Sequence, residues 1–324
     1  MGAPPDLPTQ EGASSDRQGE RMGPHQNFTT AAAEATRHLH EQTGIACWAV
    51  SRLTAGRQTF LNKKVEHPKL QLDAWLPLRE SICAHMLETN GPRAVGDLAA
   101  QPTYAGTHLA RTLPARAYIA APIHIEPTAS RGGLFGTLCG FDPDPQPSIE
   151  KHLAAVDEHA AHLGSLLDYE LPIIDASRHS APAELASRVA NRRSWYDAMT
   201  VENDRSWRYG DAASVLVLET SASQLAPTID VVLGLMQPSS FVAELSAESL
   251  GILAPLCDTR MAQRLIHDIA TAAAAHHLHV AGGYATREPL MKLGHTWTMA
   301  NAAIAPLAAA PAAPRARQLV HAAI

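Results

Sequence analysis

Seventeen histidines and four cysteines are the side chains of this 324-residue sequence with the most obvious chemistry to offer. Cys47, Cys83, Cys139 and Cys257 contain no C-x-x-C pair, which excludes both a zinc knuckle and a disulfide framework. Cys47 and Cys139 fall in strand-like runs and read as small apolar side chains. Cys83 falls where a loop enters a helix; helix N-termini depress thiol pKa values, so it is the best candidate for a reactive thiol. The histidines do not gather. His38 and His40 are two apart and cannot share a helix face. His152, His159 and His162 lie on one long helix, the last two outside its apolar seam, and read as a solvated face. His276, His277 and His279 span a helix end, where an imidazolium suits the helix dipole. No H-x-x-x-H, G-x-G-x-x-G, G-x-S-x-G or G-K-[ST] element stands in a supporting context, so no metal is expected.

Hydrophobic periodicity gives the elements that must position these groups. Residues 1–26, rich in Gly, Pro, Ser and charge and without an apolar core segment, predict a disordered lead and no signal peptide. Phe28, Ala31, Ala32, Ala35 and Leu39 recur at helical spacing, with Gly44 as the stop. Ile45–Leu53 and Arg57–Asn62 read as a hairpin. Arg79–Thr89 is a short helix, and Arg116–Ile125 and Gly133–Phe141 are two further strands, which together predict an antiparallel sheet with flanking helices. Ile149, Leu153, Val156, Ala160, Leu163 and Leu167 then step by 4, 3, 4, 3 and 4. A seam of period 3.5 suits pairing with a second copy, making a homodimer, or packing on the helix's own sheet. Pro172 and Pro182 predict a hinge over 171–183.

The second half, 184–305, alternates helices with short apolar strands. A helix over Leu185–Tyr209, a strand over Ser214–Leu218, a helix near Thr228–Met236, strands at Phe241–Leu245 and Leu250–Leu253, a helix over Thr259–His276, a strand over Leu278–Tyr284 and a final helix predict a ferredoxin-like α/β sandwich. An Ala/Pro-rich tail, 306–324, is expected to be loosely ordered. The fold class is therefore mixed α+β and α/β, in two domains. With 46% hydrophobic and 18% charged residues, global disorder is excluded. A net charge of -6 gives no electrostatic reason to expect nucleic acid or an anionic membrane as partner. No run of apolar residues is long enough to span a bilayer, and a cytoplasmic protein is expected.

Within 27–170, the segments Gly44-Ile45-Ala46-Cys47-Trp48-Ala49-Val50, Leu76-Pro77-Leu78-Arg79-Glu80-Ser81-Ile82-Cys83, Ala121-Pro122-Ile123 and Leu134-Phe135-Gly136-Thr137-Leu138-Cys139 resemble GAF domains of bacterial cyclic-di-GMP signalling proteins. That resemblance implies a small-molecule pocket between sheet and short helices, with Trp48, Trp75, Cys83, Tyr104, His108, Tyr118 and Cys139 as candidate lining. It also implies that the long helix ending this unit carries the signal.

The second unit resembles a shortened GGDEF, or diguanylate cyclase, domain. Ala190-Asn191-Arg192-Arg193 looks like that family's opening, Val280-Ala281-Gly282-Gly283-Tyr284-Ala285 like its late strand, and Glu244–Pro255 lies at its signature hairpin. The departures are large. Ser246-Ala247-Glu248-Ser249-Leu250 stands in place of the signature, so the glycines that admit nucleotide phosphates and one of the two acids are lost. The guanine-recognition stretch and the R-x-x-D motif of product inhibition have no counterpart in Thr220–Pro227 or Gln237–Ser240. Glu219 and Glu248 are the only residual catalytic candidates, and Mg²⁺ is implied only through residual nucleotide binding. The resemblance implies a non-catalytic bacterial signalling protein with a small-molecule ligand and a protein partner. The alternatives are a weakly active cyclase or a GTP or cyclic-di-GMP receptor.

Overall fold

A computed structural model describes residues 27–54, 56–70, 72–105, 115–128, 131–179 and 189–307. The lead at 1–26, His108, the greater part of the tail and the segment around Pro182 lie outside the described residues.

Helix α1 (Phe28–Thr43) starts where the Asn27 side chain accepts from the Thr30 amide, and stops at Gly44, whose φ of 72° closes the last turn. Strands β1 (Cys47–Thr54) and β2 (Arg57–Val65) form the expected hairpin. After β3 (Trp75–Pro77), α2 (Ile82–Thr89), β4 (Ala94–Val95) and the short α3 (Pro102–Ala105) come β5 (Ala117–His124) and β6 (Leu134–Asp142). The six strands form one antiparallel sheet in the order β3-β2-β1-β6-β5-β4.

The long helix α4 (Leu153–His179) corrects two expectations. It runs straight through Pro172, so the chain is helical where a hinge is predicted to begin. Proline there removes the hydrogen bond to the Asp168 carbonyl, while Leu167 and Leu171 in the turn before it are buried in the core and hold the helix in place. The apolar seam is also spent within the chain. Ile149, Val156, Ala160, Leu163 and Leu167 are all buried against the sheet and α1, with Leu153 packed on their edge. The helix lies close on the sheet because Gly164 has no Cβ to strike the His124 carbonyl. A stripe already buried on its own sheet is not a dimer seam.

In the second unit α5 (Arg192–Tyr209) begins later than the sequence suggests. Asn191 caps it by accepting from the Ser194 amide, and Ala190 lies extended, bridged in parallel to Ala243. Then follow β7 (Ala213–Glu219), α6 (Leu225–Leu235), β8 (Phe241–Ser246), β9 (Ser249–Pro255), α7 (Thr259–Ala275), β10 (Ala281–Thr286), α8 (Leu293–Ala302) and β11 (Ala305–Pro306). Their antiparallel sheet has the order β11-β10-β7-β9-β8. Its last four strands have the ferredoxin-like order, fourth, first, third, second. Helices α6 and α7 cover one face over Leu216, Leu218, Ile252 and Ile269; α5 and α8 cover the other over Trp195, Val215, Val217 and Leu293.

The units share packing. Tyr209, at the end of α5, is buried in the core of the first unit and stacks on Phe28 with ring centroids 6.1 Å apart. Its hydroxyl donates to Glu170 Oε2 at 2.6 Å, and Glu170 Oε1 accepts the Phe28 amide at 2.7 Å. Gly210 follows at φ 65°, pressed against Leu61 and Arg52.

Candidate functional site

Two places bring the sequence-derived candidates together. The first is the sheet face of the first unit that looks away from α1 and α4. Cys47 and Ala49 of β1, Cys139 and Phe141 of β6, and Tyr118 of β5 point to this side and meet Cys83 and Met86 of α2 and Tyr104 of α3. Tyr104 and Tyr118 pack edge to face at 5.8 Å, and Tyr118 lies 5.5 Å from Phe141. Beside them runs a buried chain of hydrogen bonds: Ser81 donates to Gln58 Oε1, Gln58 Nε2 donates to Ser51 Oγ at 2.8 Å, and Ser51 and Thr137 share a bond of 2.9 Å. Ser81 also caps α2 by accepting the Ala84 amide.

Four candidates, Cys83, Tyr104, Tyr118 and Cys139, therefore share one buried layer. Two others do not. Trp48 points to the opposite face and packs in the α1/α4 core, its indole donating to Thr43 Oγ1 at 3.3 Å. Adjacent residues on a strand face opposite sides, so Cys47 and Trp48 cannot both line one pocket. Trp75 stands partly exposed on the edge strand β3. Cys83 is the second residue of α2, as the helix-start argument requires, but it is fully buried. Its thiol is the more acidic of the facing pair, pulled down chiefly by the hydrogen bond from Cys139 against the opposing effect of burial. Cys139 is pushed well up by the same contact and by burial. Burial pushes Cys47 up to about 12 and Tyr104 up to about 12. The Tyr118 hydroxyl is buried in the same layer, beside the Cys83 thiol. Sequence reasoning missed the polar side of this layer, Gln58, Ser51 and Thr137, because alternation along a strand marks a face and not what lies across it.

The second place is the end of β7. Glu219 pairs with Ser249 across β7 and β9, and the Thr220 amide donates to the Glu248 carbonyl at 2.9 Å. The two carboxylates thus border one open cleft of about 590 Å³, lined also by Leu278, His279, Val280 and Leu307. Both glutamates are exposed. Ala247 and Glu248 make the turn of the β8–β9 hairpin, and Ser246 and Ser249 close it with a hydroxyl bond of 2.8 Å. The Glu248 amide also donates to Ser246 Oγ at 3.2 Å, so the turn's polar groups are directed at one another.

Fold and site together describe a two-unit protein, an antiparallel sheet domain with a buried thiol and tyrosine layer followed by an α/β domain with an acidic cleft at its central hairpin. The family model of the GAF domain matches residues 27–167. No curated protein matches the chain. Among solved structures it is similar to a DGC protein from Thermotoga maritima, at 12% identity and a TM-score of 0.33, over 37% of this chain and 98% of that one. It is similar to a far-red cyanobacteriochrome photoreceptor, at 17% identity and a TM-score of 0.38, over 44% and 87% of the two chains. It is also similar to the GGDEF domain of DgcB from Caulobacter crescentus in complex with c-di-GMP, at 15% identity and a TM-score of 0.33, over 35% and 82%. No described helix is long and apolar enough to cross a membrane.

Proposed function

We propose that the chain is a non-catalytic cytoplasmic signalling protein of the cyclic-di-GMP type. Its GAF domain senses a small molecule, and its second unit is a degenerate GGDEF-like domain that acts as an output or docking module for a protein partner. The carrying observation is the state of the hairpin at the end of β7. Where the GGDEF signature offers glycine backbone to phosphates, this turn carries side chains, and Ser246 and Ser249 bond to each other across it. Magnesium at such sites is held by one or two carboxylates together with substrate phosphates. Glu219 and Glu248 could supply the carboxylates, but the turn carries side chains in place of glycine, and its serine hydroxyls and the Glu248 amide are directed at one another. The donor set does not fit a catalytic metal. On the sensing side, Cys83, Tyr104, Tyr118 and Cys139, gathered in one layer, are the residues through which a ligand would act.

The test is incubation of the purified chain with GTP and Mg²⁺ or Mn²⁺, followed by detection of cyclic-di-GMP. No product is expected. Product that disappears in Glu248→Ala would overturn the proposal in favour of a weakly active cyclase. A second reading, a GTP or cyclic-di-GMP receptor without turnover, is favoured by the size of the acidic cleft. Calorimetric titration with each nucleotide decides it, since binding lost in Glu219→Ala would place the nucleotide there.

A further inference from the structure

Between the two units lies a crevice of about 100 Å³, lined by Arg57 and Thr59 of β2, Ser206 and Trp207 of α5, and Arg287 and Leu290 beyond β10. Ser206 donates to Glu202 Oε1 at 3.3 Å, but three other polar groups of the crevice lack partners. Arg57 Nε, Arg287 Nε and Thr59 Oγ1 are each buried without a hydrogen-bond partner among the described residues. Arg287 is 3% exposed and Thr59 7%. The two arginines, 230 positions apart in sequence, meet directly: Arg57 Nη2 donates to the Arg287 carbonyl at 3.3 Å. Neither guanidinium forms a salt bridge with a described carboxylate; Glu288, Asp258 and Glu202 act on them only from a distance.

Arg287 lies over the Trp207 ring at 5.7 Å, but placing two largely buried guanidinium groups in one crevice remains costly without an anion between them. The strain is visible in their acidity. Burial, and then the neighbouring Arg57, bring Arg287 down to about 10, and burial lowers Arg57 as well. Planar guanidinium forks match oxyanions bidentately, and a hydroxyl such as that of Thr59 completes such a cradle. A crevice of this size has room for a small tetrahedral oxyanion.

We propose that this crevice is a binding site for a phosphate-class oxyanion, held between Arg57 and Thr59 of the first unit and Arg287 of the second. The anion is either free or the phosphoryl end of a larger molecule whose remainder stays outside. Because the donors come from both units, binding strengthens their contact, and any change that separates the units weakens binding equally. The site is independent of the acidic cleft and of the thiol layer, and it stands whether or not the second unit has catalytic activity.

Thermal unfolding of the full chain tests it, with inorganic phosphate compared against sodium chloride at matched ionic strength, and with GTP in a parallel arm. Phosphate is expected to raise Tm by a few degrees where chloride does not. In Arg57→Gln and Arg287→Gln the rise should vanish, while Tm without phosphate holds or increases because the repulsion is relieved. This combination separates a binding role from a merely structural one. Thr59→Val, close to isosteric, should reduce the rise. It keeps the proposal open to refutation if an arginine variant fails to fold. A rise with inorganic phosphate identifies a free anion. A rise with GTP alone, lost in Arg57→Gln, identifies a phosphoryl tail. Equal behaviour in phosphate, GTP and chloride, or a full rise retained in all three variants, overturns the proposal.

Discussion

Arg131 and Asp211 face each other through two parallel hydrogen bonds, Nη1 to Oδ1 at 2.8 Å and Nη2 to Oδ2 at 2.7 Å, with each side chain only 1% exposed. Arg131 follows β5 in the first unit; Asp211 precedes β7 of the second. Arg131 Nε also reaches Asp175 on α4 at 3.3 Å, and Arg52 Nε lies 3.9 Å from Asp211. One buried group of charges therefore binds the sheet of the first unit, its long helix and the entry to the second sheet.

Removing one member of such a pair strands the other. Arg131→Leu is expected to cost about 3–5 kcal/mol in urea denaturation, because Asp211 is left buried without its bidentate partner. A loss below about 1 kcal/mol would mean that water reaches Asp211 freely.

Leu163 is fully buried in the α1/α4 core. Leu163→Ala is expected to cost about 2–5 kcal/mol, as for other cavities left by a core leucine. Its mass by light scattering should equal that of the wild type. A change of oligomeric state without loss of stability would restore the helix seam as an interface between copies.

Tyr104 and Tyr209 are both pushed up to about 12, burial being the largest cause in each. In the unfolded chain these phenols lose their protons near pH 10. The folded pKa is the higher one, so their contribution is fully present below pH 10 and is lost as pH rises from about 10 to about 12. The urea midpoint should fall across this window, and less steeply in Tyr209→Phe. An identical slope in that variant would remove Tyr209 from the account.

Gly210 holds φ 65°, and a Cβ there would meet Leu61 Cδ2 at 2.8 Å and Arg52 Cβ at 3.0 Å. Gly210→Ala should cost more than about 1 kcal/mol, from left-handed strain and from displaced neighbours. An unchanged thermal midpoint would show that the join between the units can shift without cost.

The legible and illegible parts of the fold divide along physical lines. The α1 helix with its apolar spacing and Gly44 stop, the β1–β2 hairpin and the β8–β9 hairpin depend on neighbours in sequence, and their residue types announce them. The face of Trp48 does not, because β1 is buried on both sides and its run Cys47–Val50 shows no alternation to separate one face from the other. The seam on α4 was readable as a stripe, but a stripe specifies only that something apolar covers it. Whether its own sheet or a second copy does so depends on β5 and β6, more than ten residues upstream. The site on β7 was legible as Glu219 and Glu248. The serine bond that closes the turn between them was not, since it depends on the register Ser246 to Ser249. Arg57 and Arg287 carry no sequence signal at all, being ordinary basic residues until the fold puts them together.

Tyr209 has a practical consequence for anyone dissecting the molecule. The family match ends at residue 167, yet the first hydrophobic core is completed by a ring 42 positions later, contributed by a helix that belongs to the other sheet. Cutting the gene at the family boundary would leave Phe28 facing a hole and Glu170 beyond the new terminus. The segment recognisable by ancestry is shorter than the set of residues that builds the first core, and a fragment meant to report on sensing alone would lack that ring.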